Sequence, residues 1–185
     1  MRSSSVRPSP CLPRLGLALA LALVLSAPTL GAQHAPGAPV APVRPDTMPR
    51  GEAARVATTV RALFAAAERD DMAALDTLYA GDGLTIVEGA GINRGWADYR
   101  DHHLAPEMKE MKNFRYRPFE IEARASGDLA WAMFRYALTA DVNGRPVDVI
   151  GRGTAVLERR GTRWIVRHTQ TSSRPRRSND PPMPQ

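Results

Sequence analysis

The chain contains one cysteine, Cys11, which excludes a disulfide scaffold and any Cys-rich metal centre. It has no glycine-rich phosphate loop and no Gly-x-Ser-x-Gly elbow. With no thiol beyond Cys11, no spacing makes a nucleophilic triad. Internal repeats and sustained heptads are missing too, which excludes solenoids and coiled coils. The longest apolar run, Leu15 to Leu25, is about half of the ~20 residues that a spanning helix needs. An excess of basic charge is also lacking where it would matter. The formal net charge is +6, but three arginines lie in residues 1–14 without an acid, and the end from Arg174 holds three more against Asp180. Residues 33–173 are therefore nearly neutral, and a nucleic-acid face is not expected. What is present is enough for one domain plus tails: 185 residues, 43% of them hydrophobic.

The amino terminus reads as an address. Arg2, Arg7 and Arg14 precede the apolar run LGLALALALVL, and small residues with a proline follow. This is the pattern of a secretory signal peptide over residues 1–32, with cleavage after Ala27 or Ala32. Cys11 would leave with it, and the mature chain is expected to be secreted or periplasmic, with no membrane attachment. Residues 33–50 hold five prolines and read as a Pro/Ala-rich linker. Residues 175–185 (PRRSNDPPMPQ) read as a disordered basic tail. The folded domain is expected over 51–174.

Within it, Val56, Val60, Leu63, Phe64 and Ala67 fall on one face of a helix. Asp70-Asp71 ends that helix and caps a short second one, Met72 to Tyr79. Leu84 to Glu88 is a strand ended by Gly89-Ala90-Gly91. A third helix is predicted from about Gly95 to Met108, with Pro106 disturbing its last turn. The period then changes from 3.6 to 2. Phe114–Arg124 is a strand with a bulge near Pro118-Phe119. Leu129–Val142 is apolar on both faces, so it should be central and covered. Asn143-Gly144 marks a type I′ hairpin, because both central residues need positive φ. Val147–Arg159 and Arg163–Ser173 complete the series. The expected fold class is α+β: about three N-terminal helices packed on a curved, mostly antiparallel sheet.

The segments RALFAAAERDDMAALDTLYAGD, LTIVEGAGINRGWADYRDHHL and GRGTAVLERRGTRWIVRHTQTSSR together resemble the nuclear transport factor 2-like (ketosteroid isomerase-like) superfamily, and within it the SnoaL-like domains of unknown function. The resemblance covers roughly residues 52–174. It implies a conical fold, usually a homodimer, with a pocket between sheet and helices. It implies no single activity, since the fold hosts isomerases, cyclases, dehydratases and non-catalytic binders. Many relatives carry His-x-His-x-Ser near the end. This chain has His168-Thr169-Gln170-Thr171-Ser172, which speaks against paired-histidine or metal chemistry.

Candidate site residues follow from periodicity. Strict alternation puts Trp164, Val166, His168, Gln170 and Ser172 on one face of the last strand. Trp96, Tyr99 and His103 share one side of the third helix, leaving His102 in water. Arg152 lies among apolar neighbours and should be paired or line a polar pocket. The expected pocket is walled by Tyr79, Trp96, Tyr99 and either Trp131 or Phe134 with Tyr136, with polar groups from Glu88, His103, Arg152, His168, Gln170 and Ser172. A second copy is expected on the outer sheet face, assigned to Ile165, Phe119 and Ile121.

Two functions compete. In one, the exported domain, without assigned catalysis, binds a small apolar or anionic molecule in the pocket, or only dimerises. In the other, it is an isomerase- or dehydratase-type enzyme in which Glu88 or His103 is the general base, with Arg152 and His168 steadying an oxyanion. A metal site from His103, His168 and Glu88 would need all three to converge on one point. No cofactor is called for by any motif.

Overall fold

The computed structural model describes residues 50–185; the signal segment and nearly all of the linker lie outside the described residues. Helix α1 (Glu52–Glu68) buries Val56, Val60, Leu63 and Phe64, the stripe that its periodicity predicts. Helix α2 (Met72–Leu78) starts at Asp71, whose carboxylate accepts the Ala74 N–H at 2.9 Å, satisfying one of the amides left open by the first turn. A short hairpin follows, β1 (Thr85–Glu88) and β2 (Gly91–Arg94). The second strand of this hairpin was not expected from the sequence. The third helical segment is α3 (Trp96–Tyr99), a π-helical turn (Arg100–Leu104) and α4 (Ala105–Glu110). Pro106 has no N–H for the His102 carbonyl four residues back, and the widened turn directly before it absorbs that missing bond.

Four long strands form an antiparallel meander: β3 (Met111–Ser126), β4 (Leu129–Val142), β5 (Arg145–Arg160) and β6 (Arg163–Pro175). With β1 paired parallel to β6, the sheet order is β2-β1-β6-β5-β4-β3. The β4–β5 turn is the predicted one, with Asn143 at φ 52° and Gly144 at φ 77°. The expected β3 bulge falls just after Phe119, where the register slips between Phe119 and Glu122 and Glu120 takes φ 48°. The architecture is α+β, a curved open sheet with helices on its inner face.

The inner face holds the core. Phe134 and Tyr136 on β4 lie directly opposite Gly153 and Gly151 on β5, so each ring has a strip of bare backbone to lie across. Phe64 from α1 meets both rings, edge-on to Phe134 at 5.2 Å between centroids.

The outer face departs from expectation. Strand β4 is not covered on both sides: Leu129, Trp131 and Met133 are exposed, with Val156 beside Trp131 on β5. These are the apolar outer residues. Ile165 is instead buried, Ile121 packs against the core, and Phe119 lies beneath the Arg135 guanidinium at 4.9 Å. At the other end of the same face Ala137 and Ile150 are buried. The carboxyl-terminal residues bond back to β5 and to one another. Arg176 donates to Asp148 at 2.7 Å, its guanidinium also donates to the Pro181 carbonyl, and Arg174 pairs with Asp180 at 2.6 Å.

Candidate functional site

The concave side of the sheet and the helices enclose a cavity of about 100 Å³. Its apolar wall comes from Leu63 and Phe64 of α1, Met108 and Met111 after the π-turn, and Phe114 and Phe134 of the sheet. Its polar groups are Tyr79, Tyr99, Tyr116, Thr169, Thr171, Glu88 and Glu107. An apolar chamber with a few convergent polar groups is the usual composition of a small-molecule site.

The polar end is organised around His103. Its Nε2 stands 3.1 Å from Glu88 Oε2 and 3.2 Å from Glu107 Oε1. The other oxygen of Glu88 accepts from the Tyr99 hydroxyl at 3.2 Å. On the far side of the ring, Nδ1 lies 3.0 Å from Asn93 Oδ1. The orientation of that amide is set from behind, since Asn93 Nδ2 donates to Asp98 Oδ2 at 3.1 Å and a carboxylate only accepts. Asn93 therefore offers His103 an oxygen, and Nδ1 must carry a proton. Nε2 faces two carboxylates and must carry one as well. The network thus calls for an imidazolium. Hydrogen bonds to Glu107 and then Glu88 push the His103 pKa up to about 10, against a smaller opposing effect of burial. The Asn93 hydrogen bond likewise holds Asp98 below the usual carboxylate range.

The elements explain the convergence. Glu88 ends β1 on the sheet's inner face, opposite Thr171 of β6. Tyr99 and His103 are four apart on the helix, and Glu107 is four beyond His103, so all three come round to the same side. His102 points away, 76% exposed and paired with Asp98 at 3.2 Å, as the spacing predicts.

The residues singled out from sequence divide. Tyr79, Glu88, Tyr99 and Phe134 line the cavity, and His103 stands behind its polar end, bonded to Glu88 and Glu107. Trp96 stands behind the wall, stacked on Tyr79 at 4.8 Å with its indole N–H donated to Asp76. Tyr136 is buried against Phe64 and Tyr116, beside the cavity rather than on it. Of the two alternatives for β4, Phe134 with Tyr136 points inward and Trp131 outward.

His168, Gln170, Ser172 and Arg152 do not reach the pocket. The β5–β6 register slips between Val156 and Leu157, whose partners are His168 and Val166, leaving Arg167 as an extra residue. This bulge reverses the alternation that sequence assumes to be unbroken. Trp164 and Val166 stay inward, but His168 lies opposite exposed Val156, while Gln170 and Ser172 lie opposite Thr154 and Arg152 on the outer face. Thr169 and Thr171 take their place on the cavity wall. No signal in the sequence marks the bulge. Glu107, also missed, was legible as the i+4 partner of His103. Among the described residues no group of three or more His, Cys, Asp or Glu is arranged to hold a metal ion. The proposed convergence of His103, His168 and Glu88 fails because His168 is on the other face of the sheet.

Comparison with known proteins agrees with the architecture. A protein of Shewanella frigidimarina, provisionally described as a ketosteroid isomerase, superposes with a TM-score of 0.57 at 24% identity, covering 66% of this chain and 95% of its own. One from Streptomyces avermitilis, provisionally described as a dehydratase of the NTF2-like family, gives 0.60 at 17% identity over 69% and 97%. An NTF2-like superfamily protein of Salmonella enterica serovar Typhimurium gives 0.60 at 17% over 67% and 91%. At these identities the likeness shows the fold alone. No curated protein matches the chain. The sequence profile of the SnoaL-like domain matches residues 56–175. With that match over most of its length, and the cone of helices and curved sheet that such domains share, the chain belongs to the SnoaL-like domain family.

Proposed function

We propose that this is an exported SnoaL-like domain that binds a small molecule in the cavity between sheet and helices, without catalysis. The observation that carries the reading is the cavity itself, an apolar chamber with one polar end. His103 cannot serve as a general base in this arrangement, because neither ring nitrogen keeps a free lone pair. Glu88 already accepts from Tyr99 with one oxygen and from His103 with the other.

The catalytic alternative is an isomerase- or dehydratase-type enzyme. It retains one favourable observation: Glu88 stands on the cavity wall beside phenols held in the neutral, proton-donating form. Burial, and secondarily the Glu88 charge, raise Tyr79 and Tyr99 well above the ordinary tyrosine range. In that version Glu88 is the base and a tyrosine steadies the oxyanion. The descriptions of the Shewanella and Streptomyces proteins point the same way.

The test is native mass spectrometry of the purified mature chain beside Ala67→Phe, which fills the chamber from α1. The binding reading expects a small molecule on the wild type and its loss from a folded Ala67→Phe. A wild type that carries nothing, and that no member of a metabolite library stabilises, contradicts it. The intact mass also reports whether residues 1–27 or 1–32 have been removed, as export requires; a mature chain still beginning at Met1 contradicts export.

The proposal includes a homodimer across the exposed outer residues Leu129, Trp131, Met133 and Val156, since an apolar patch of this kind is disfavoured in water. Trp131→Lys should turn a dimeric mass in light scattering into a monomeric one, with little change in the cavity. A wild type that is already monomeric contradicts the dimer.

A further inference from the structure

The cavity's charge is unbalanced. Among the described residues Glu88 and Glu107 both line it, and no lysine or arginine does. Among those residues the cation in contact with both is the His103 imidazolium, whose Nε2 lies within reach of each. One positive group against two carboxylates leaves the polar end with a net negative charge. The rest of the wall is suited to a cation. The rings of Phe64, Tyr79, Tyr99, Phe114, Tyr116 and Phe134 line the same space, and aromatic faces attract positive charge, more strongly where water is excluded. The phenols sense the excess. Burial is the first cause of the upward shifts at Tyr79, Tyr99, Tyr116 and Tyr136, and the Glu88 carboxylate adds to it at all four. Glu107 adds its own effect at Tyr99.

Hydrogen bonding points in the same direction. Glu88 and Glu107 can only accept. The His103 protons are already directed at Glu88, Glu107 and Asn93, and the Tyr99 proton at Glu88. A ligand group placed against Glu88 and Glu107 meets acceptors and must bring donors or positive charge; the hydroxyls of Tyr79, Tyr116, Thr169 and Thr171 line the same cavity. A carboxylate, phosphate or sulfate would face like charge with no free cation to receive it.

We propose that the cavity selects a small organic cation, an apolar body ending in an ammonium group, with the ammonium against the cavity-facing side of the Glu88 and Glu107 carboxylates and the body against the aromatic and methionine wall. This rests on the small-molecule reading above and gives it a chemical class. Bound this way, the ammonium restores neutrality to the cluster while His103 stays in place. Charge-assisted hydrogen bonds to the carboxylates supply the discrimination over a neutral analogue.

The experiment uses three probes of matched length on the full mature chain: 1-hexylamine, 1-hexanol and hexanoate, by isothermal titration calorimetry at pH 7.5 and low salt. The expected order is amine, then alcohol, then carboxylate, with the amine about tenfold tighter than the alcohol. Glu107→Gln keeps an oxygen for His103 and should reduce the amine's advantage to about threefold or less; Glu88→Gln should act in the same sense. Circular dichroism confirms that each variant is folded. Equal affinity for amine and alcohol, or tighter binding of hexanoate, overturns the charge assignment while leaving a small-molecule pocket. Failure of all three to bind the wild type overturns both.

Discussion

Raising the pH from 6 to 9, below the range in which tyrosines ionise, should cost this domain about 2 kcal/mol of stability, and His103→Gln should remove most of that dependence. The folded-state pKa of His103 is pushed up to about 10, against 6.5 for an ordinary histidine. A group raised on folding contributes its full stabilisation below the unfolded value, near pH 6.5, and loses it as the pH climbs from there through the folded value, near 10. The full shift would imply more, at ~1.4 kcal/mol per pH unit. The side chains of His103, Glu88 and Glu107 remain 26%, 31% and 36% exposed, so solvent screens the cluster and the smaller figure is appropriate. In thermal melts this is a loss of ~6–10 °C. At pH 6, His103→Gln should already sit lower by a similar amount, because it leaves Glu88 and Glu107 without their common cation. His102→Ala should change the melting profile little, since His102 is largely in water. Equal effects from the two histidines would refute the assignment of His103 to the inner side of the helix.

Gly153→Ala should destabilise by about 3 kcal/mol in urea unfolding, more than the typical surface substitution. A Cβ at this position would stand 2.6 Å from Phe134 Cε2 and 2.9 Å from the Gln170 carbonyl oxygen. The carbonyl belongs to the sheet ladder and cannot move away cheaply. The Phe134 ring is held by Phe64 and forms part of the cavity wall, so any movement also reshapes the chamber. Gly151→Ala should act in the same way through Tyr136, whose ring occupies the space of the missing side chain. Gly81→Ala, with no atom within 4 Å of the added carbon, should stay within ~0.5 kcal/mol of the wild type. Gly153→Ala at wild-type stability would mean that Phe134 does not lie across β5.

Much of this arrangement was legible in sequence, and the exceptions share a physical cause. The apolar stripe of α1, the Asp71 cap and the Asn143-Gly144 turn are local features, set by neighbours three or four residues away. The inward turn of Tyr99 and His103, with His102 in water, is of the same kind. The side-chain assignments on β6 failed because strand alternation is a long-range property. One unpaired residue, Arg167, inverts every side chain beyond it, and only the partner strand shows where it sits. Trp131 illustrates a second limit. Strand β4 carries apolar residues on both faces, and periodicity cannot tell which face meets the helices. The four-residue strand β2 has mostly exposed side chains and therefore no alternating pattern to read. Glycine also misleads when read alone: Gly151 and Gly153 look like strand weakeners, yet they are the space into which the aromatic wall fits.

A charged Glu88–His103–Glu107 cluster holds the polar end of the cavity, with the His103 imidazolium behind the two carboxylates that line it. Its most direct measurement is the protonation of the His103 ring by two-bond ¹H–¹⁵N correlation spectroscopy at pH 8. Two protonated nitrogens with imidazolium shifts, unchanged from pH 6, are expected. A His103 ring with one unprotonated nitrogen at pH 8 would contradict this charge state, and would return to that residue the free lone pair a general base requires.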